Sequence, residues 1–186
     1  LISKVQDKDM IFQGNDGGST ITALTLDMSL GGSASFNGNV GIGSAPSATI
    51  RNDGSSAEKA LQIGTRAMFF SDGGVTTDLQ NNSHLNNADN RVAMATDLGS
   101  VYRQYQGVHT FSNAASVSAG ATQTMQERLR IDALGKVLVG GTSQADATSV
   151  TLNPEGYIYA KSSHQQAGIF DRDNSDGDIV IFRKGG

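Results

Sequence analysis

The stretch Arg128-Leu-Arg-Ile-Asp-Ala-Leu-Gly-Lys-Val-Leu-Val-Gly-Gly-Thr142 sets Leu129 and Ile131 between charged neighbours, turns at Leu134-Gly135, and alternates again through Val137 and Val139. A period of two over so few residues predicts two short strands, each with one apolar face, joined at a tight corner. The same device recurs as Phe36-Asn-Gly-Asn-Val40-Gly-Ile42-Gly43 and as Leu152-Asn-Pro-Glu-Gly156-Tyr-Ile158-Tyr-Ala160. Aligning Gly38, Gly135 and Gly156 puts Val40, Val137 and Ile158 in one slot. The copies lie 97 and then 21 residues apart, which excludes a strict short-period solenoid and predicts similar modules separated by insertions of different size.

The composition supports an elongated β structure over an ordinary compact domain. Hydrophobic residues make up 37 % of the 186-residue chain and charged residues 17 %, with 23 glycines. Globular chains usually hold about 45–50 % apolar residues counting glycine, and about 25 % charged. Glycine restores the first total but has no side chain to bury. So thin an apolar supply predicts a homo-oligomer that closes its apolar face against copies of itself. The net charge of −4 and the absence of any Lys/Arg cluster argue against a nucleic-acid partner. There is no cysteine, which removes disulfides and thiolate chemistry. Apolar runs such as residues 67–70 and 179–182 are far too short to span a bilayer as a helix, so no membrane insertion is expected. The start at Leu1 and the stop at Arg183-Lys-Gly-Gly186 predict a piece of a longer polypeptide.

Along the chain, the turn cluster Gly14-Asn-Asp-Gly-Gly18 between Met10-Ile-Phe12 and the Thr-rich alternating run 20–28 predicts a hairpin. Further strands are expected at residues 34–36, 49–51, 59–65, 67–70 and 108–111. Residues 90–106 fit either a helix face or strands broken at Gly99, and the β-rich surroundings favour strands. Five asparagines within residues 81–90 predict a surface loop or a weakly structured connector, and residues 112–120 read as small-residue low complexity. Met125, Glu127, Leu129 and Ile131 alternate as a strand would. Residues 169–171 and 178–182 predict a final hairpin. The expected division is a β repeat module over 1–50, an insertion or knob-like β region over 51–120, and further repeat modules over 121–186.

Some of these residues carry a family resemblance. The run Asp9-Met-Ile-Phe-Gln-Gly-Asn-Asp-Gly-Gly-Ser-Thr-Ile-Thr-Ala-Leu-Thr-Leu-Asp-Met-Ser29 resembles a segment of tail-fibre and fibre-like proteins of tailed bacteriophages, marine ones especially. Phe36-Asn-Gly-Asn-Val-Gly-Ile-Gly43 and Glu127-Arg-Leu-Arg-Ile-Asp132 are similar to two further segments of that family, often fused there. Gly135-Lys-Val-Leu-Val-Gly140 departs from the usual form of that fusion. Residues 169–184 resemble another recurrent module, while residues 52–118 match less clearly. The resemblance implies a mostly β, elongated homotrimeric shaft or β-prism of intertwined strands with short hairpins and glycine corners. It also implies a virion location in the tail fibre, contact with other tail or baseplate proteins, and attachment to a host-surface glycan or protein receptor.

In such a trimer Val40, Ile42, Leu129, Ile131, Val137, Val139, Ile158, Ile179 and Ile181 are expected to face the axis. Tyr102, Tyr105, Tyr157 and Tyr159 are the candidate sugar contacts, although strand packing is the plainer role for each. Asn15-Asp-Gly-Gly18 and residues 171–178 carry oxygen ligands without calcium-loop spacing. His84, His109 or His164 could supply one ligand per chain to an axial metal, though a lone histidine more often packs. Neither Asp53 with Glu58 nor Asp171 with Asp173 has a spacing that marks a glycosidase pair, and Gly140-Gly-Thr-Ser143 lacks the end of a phosphate loop. The expectation is therefore a structural attachment protein, not an enzyme, with no cofactor and no metal. The alternatives are a tailspike-like polysaccharide-degrading enzyme and a trimeric bacterial adhesin.

Overall fold

The computed structural model describes residues 4–51, 58–72, 74–143 and 149–163. The expected final hairpin with Ile179 and Ile181 lies outside the described residues, as do Asp53, His164, Asp171 and Asp173. Strands β1 (Met10–Asp16), β2 (Ser19–Asp27) and β3 (Ser33–Phe36) form a small antiparallel sheet, the hairpin expected from the Gly14–Gly18 cluster extended by one strand. Next come β4 (Val40–Ile42), β5 (Lys59–Ile63), β6 (Ala67–Ser71) and β7 (Thr76–Asn81), then a two-stranded ribbon of β8 (His84–Leu85) and β9 (Arg91–Val92). The chain continues as β10 (Asp97–Tyr105), β11 (Val108–Val117), β12 (Gln126–Ile131), β13 (Val137–Val139), β14 (Ser149–Leu152) and β15 (Ile158–Lys161). All of these except β8 and β9 join β4–β7 in one ten-stranded sheet, ordered β15-β14-β13-β12-β11-β10-β7-β6-β5-β4. Among the described residues only the β4–β5 pairing is parallel. The sheet draws strands from all three expected segments. The fold is mostly β, and among the described residues there is no helix, hence none long and apolar enough to cross a membrane.

Two of the three repeated corners share one geometry. After β12, Gly135 N donates to Asp132 O (3.0 Å) and Asp132 N to Lys136 O (2.9 Å); after β14, Gly156 N donates to Asn153 O and Asn153 N to Tyr157 O, both at 3.0 Å. Gly135 and Gly156 have φ of 83° and 91°, the left-handed conformation that closes a type I turn with a glycine bulge. The first copy is different. β3 pairs with β2 in the small sheet and β4 with β5 in the large one, so residues 36–40 cross between sheets and form no hairpin. Gly41 in β4 has its own constraint: a Cβ there would lie 2.2 Å from Ser44 O and 2.7 Å from Pro46 Cδ. Gly41→Ala is expected to cost about 1–3 kcal/mol through overpacking, read as a lower urea midpoint.

Three local expectations are corrected by the packing. Residues 49–51 form no strand; Ile50 N donates to Ser47 O (3.2 Å) in a turn that drops Ile50 into the core with Ala60, Met68 and Phe70. Residues 81–90 are not a surface loop throughout, because Asn82, Ser83 and His84 are buried. The Asn82 side chain replaces missing backbone partners: Nδ2 donates to Ala95 O (3.0 Å) and Leu98 O (2.9 Å), and Oδ1 accepts from Ala95 N (2.7 Å). Gly99 does not break its strand, since β10 runs through it with a register shift between Asp97 and Gly99.

The core is small and unusually polar. Besides the Ile50 cluster, the buried residues include Gln62, Asp78, Gln80, Asn82, His84 and Gln123. Burial pushes the His84 imidazole below its ordinary pKa; a hydrogen bond with the Thr49 backbone opposes this and the nearby Arg91 charge adds to it, while Thr49 Oγ1 lies 2.7 Å from Nε2. Nδ1 is buried without a partner, so an imidazolium here would carry an unpaired N–H. The folded chain therefore binds this proton less readily than the unfolded chain. Stability is fully present above the unfolded pKa of about 6.5 and falls as pH drops below it. Melting between pH 7.5 and 5 is expected to show this loss in the native chain and a flatter profile in His84→Gln. Loss of stability over that range with an equal slope in both would remove His84 as its cause.

Candidate functional site

The pleat of the large sheet separates two faces of opposite character. On one face the register aligns Val40, Leu61, Phe69, Leu79, Tyr102, Phe111, Leu129, Val139, Val150 and Ala160 as successive cross-strand partners. The row contains no charged residue and runs perpendicular to the strands for about 43 Å at the usual strand spacing. Ile42 and Ile63 pair beside it at one end, and Ile131, Val137, Leu152 and Ile158 form a second line at the other. No described residue covers this face. Ile42, Ile63, Phe69, Leu79, Phe111, Val139, Val150, Leu152 and Ile158 are between 39 and 72 % exposed. Together they present on the order of 700 Å² of apolar side chain, above the ~300–600 Å² of a typical monomer's largest patch.

All the described residues expected at a trimer axis lie on this one face: Val40, Ile42, Leu129, Ile131, Val137, Val139 and Ile158. Tyr102 is there too. Its ring stacks on Phe111 with centroids 4.7 Å apart, and its hydroxyl lies 2.7 Å from His109 Nδ1 and accepts from Gln104 Nε2 at 2.9 Å.

The opposite face carries charge. Asp78, on β7, is fully buried and accepts from Arg103 of β10 through Nε (2.9 Å) and Nη2 (3.0 Å), and from Arg91 Nη2 of β9. The Asp78 hydrogen bonds hold Arg103 above the ordinary guanidinium range. Burial pushes Arg91 below it, against the attraction of Asp78, and the Arg103 charge adds to that depression. Two strands beyond β10, Arg130 forms a two-pronged bond with Glu127, 2.7 Å from Nε and 2.8 Å from Nη2.

Residues three apart on a regular strand point to opposite faces, so the Arg130–Glu127 pair requires an irregularity. β11 and β12 pair Phe111 with Leu129 but Ser112 with Glu127, leaving Arg128 as the extra residue of a bulge. The bulge turns Glu127 to the face of Arg130, opposite Leu129 and Ile131, and this corrects the simple alternation expected from residue 125 onward. The two arginine groups flank a cavity of about 480 Å³ lined by Thr76, Arg91, Val101, Arg103, Tyr105, Val108, Thr110, Ser112, Met125, Glu127 and Arg130.

The candidate tyrosines are not brought together. Tyr105 is at the cavity, Tyr102 on the apolar face, and Tyr157 and Tyr159 at β15, several strands away. His84 is enclosed by its own chain and His109 is engaged with Tyr102. Glu58 is buried against Arg51, which also meets Asp89. Asn15 Oδ1 accepts from Gly18 N (2.9 Å) as a turn residue. Among the described residues no group of three or more His, Asp or Glu side chains is placed to hold a metal ion. Arg91, Arg103 and Arg130, which make the cavity distinctive, are far apart in sequence and carry no motif that marks them. No protein-family model, curated protein or solved structure matches the chain.

Proposed function

We propose that this chain is a segment of a homotrimeric attachment fibre of a tailed bacteriophage, a shaft or receptor-binding region with its apolar row turned to the threefold axis. The observation that carries this reading is the uncharged row across all ten strands. A stripe about 43 Å long and a few side chains wide is the shape three chains need to meet along a line. Roughly 700 Å² per chain also approaches the ~800 Å² per partner of a stable interface. The intertwined prism, the virion location and the contacts with other tail or baseplate proteins and a host-surface glycan or protein belong to the same proposal. They are supported by the resemblance of residues 9–29, 36–43 and 127–132 to phage fibre segments. The role is attachment, not catalysis: Asp78 and Glu127, the carboxylates beside the cavity, are each engaged by arginine, which favours binding over hydrolysis.

Sedimentation of the purified chain tests the reading. Three times 19.4 kDa, about 58 kDa, is expected, and a mass of 19.4 kDa at micromolar concentration would remove the trimer.

A further inference from the structure

The geometry points to the cavity between Arg91, Arg103 and Arg130 as a binding site for a carboxylate-bearing saccharide of the uronic acid type. Charge is the first argument. Three guanidinium groups face two carboxylates, Asp78 and Glu127, leaving one positive charge uncompensated in the cluster. The next charges are Asp72 and Arg51 at Arg103, which act in opposite directions, and Asp132 at Arg130, whose carboxylate accepts from the backbone of its own turn and does not line the cavity. A monoanion therefore balances the site, whereas a neutral ligand leaves the excess in place.

Hydrogen bonding is the second argument. Arg91 Nη1 is buried and has no acceptor within the chain, although Arg91 lines the cavity. Burial of a cationic donor without an acceptor is costly, and a carboxylate oxygen is the strongest acceptor a ligand can bring. Asp78 occupies only two of the Arg103 nitrogens, leaving further guanidinium donors beside it.

The rest of the lining mixes the hydroxyl-bearing Thr76, Thr110 and Ser112 with the apolar Val101, Val108 and Met125, a combination that suits the polar edges and apolar faces of a sugar. Thr110 presents a hydroxyl, and Tyr105, 44 % exposed, offers a ring to stack on a sugar face. The volume of about 480 Å³ fits within the usual range of small-ligand sites and accommodates a monosaccharide. The cavity lies on the face opposite the apolar row, so covering that row leaves it accessible. The inference rests on the cavity alone: a monomeric chain that binds uronate would keep it and lose the fibre reading.

Calorimetric titration of the full chain with glucuronate, glucose and inorganic phosphate tests it. Saturable glucuronate binding is expected, with glucose and phosphate at least about tenfold weaker. Arg130→Gln and Tyr105→Ala, each checked for an unchanged melting curve, are expected to weaken glucuronate about tenfold or more. Tyr105 sits at a hairpin end, so its variant folds even where Arg130→Gln does not. The site assignment is overturned by no glucuronate binding up to about 10 mM, by glucose or phosphate binding as tightly, or by full affinity in a folded Tyr105→Ala.

Discussion

Asp78→Ala is expected to lower unfolding free energy by about 3–5 kcal/mol, more than any other single change on the arginine face. The carboxylate is fully buried and is the shared acceptor for two guanidinium groups on different strands. Removing it strands the Arg91 charge, whose side chain is only 11 % exposed, beside Arg103 with nothing to separate them. Asp78→Asn should fall between, since an amide oxygen still accepts one bond but brings no charge. The triple change Asp78→Leu, Arg91→Met and Arg103→Leu separates the two possible origins of the loss. If unpaired charge is the cause, the apolar trio recovers most of the stability, because a whole buried ion cluster is often replaceable by packed side chains. If lost packing around β7 is the cause, the trio is no better than Asp78→Ala. Melting at one fixed chain concentration reads all three, because self-association of the proposed kind makes melting concentration-dependent. A loss below about 1 kcal/mol in Asp78→Ala would show that the cluster is solvated and does not organise the face.

The sequence made the strands legible where alternation and turn chemistry agreed. Both hairpin corners have Asp or Asn three residues before the glycine, at Asp132 and Asn153, and Asp132 Oδ1 accepts from both Leu134 N and Lys136 N at 2.9 Å. The first copy has Ser35 at that position, inside β3, so the same glycine-valine spelling lacks the residue that starts the turn. That difference could have been read in advance. The division of the tyrosines could also have been read in part, because Tyr102 and Tyr105 are three apart on one strand and must face opposite ways. The cavity could not. It depends on the bulge at Arg128, which is fixed by how β11 and β12 pair, and on a carboxylate from β7 meeting arginines of β9 and β10. Those are tertiary facts without a local signature. The buried asparagine at 82 is a similar case, since its role is set by backbone groups at 95 and 98.

Leu79→Asp is expected to abolish assembly while leaving the single chain folded. Leu79 stands in the middle of the apolar row, between Phe69 and Tyr102, and is 52 % exposed within its own chain. For an isolated chain the substitution exchanges a partly hydrated leucine for a hydrated carboxylate, a change of order 1 kcal/mol at a cross-strand position. In a trimer closed on this row, the same change places three carboxylates around one axis, each losing water at a penalty of several kcal/mol and repelling the other two. The combined penalty exceeds what the interface can offset, so the mass should fall from about 58 kDa to the 19.4 kDa of one chain. Tyr159→Asp is the control, because Tyr159 pairs with the buried Thr151 on the other face and is itself exposed. It should leave the mass unchanged. Dissociation by Tyr159→Asp and not by Leu79→Asp would place the interface on the arginine face. A trimer that survives Leu79→Asp at wild-type stability would show that the row is solvent-facing in the assembly, and the threefold axis would then have to pass elsewhere.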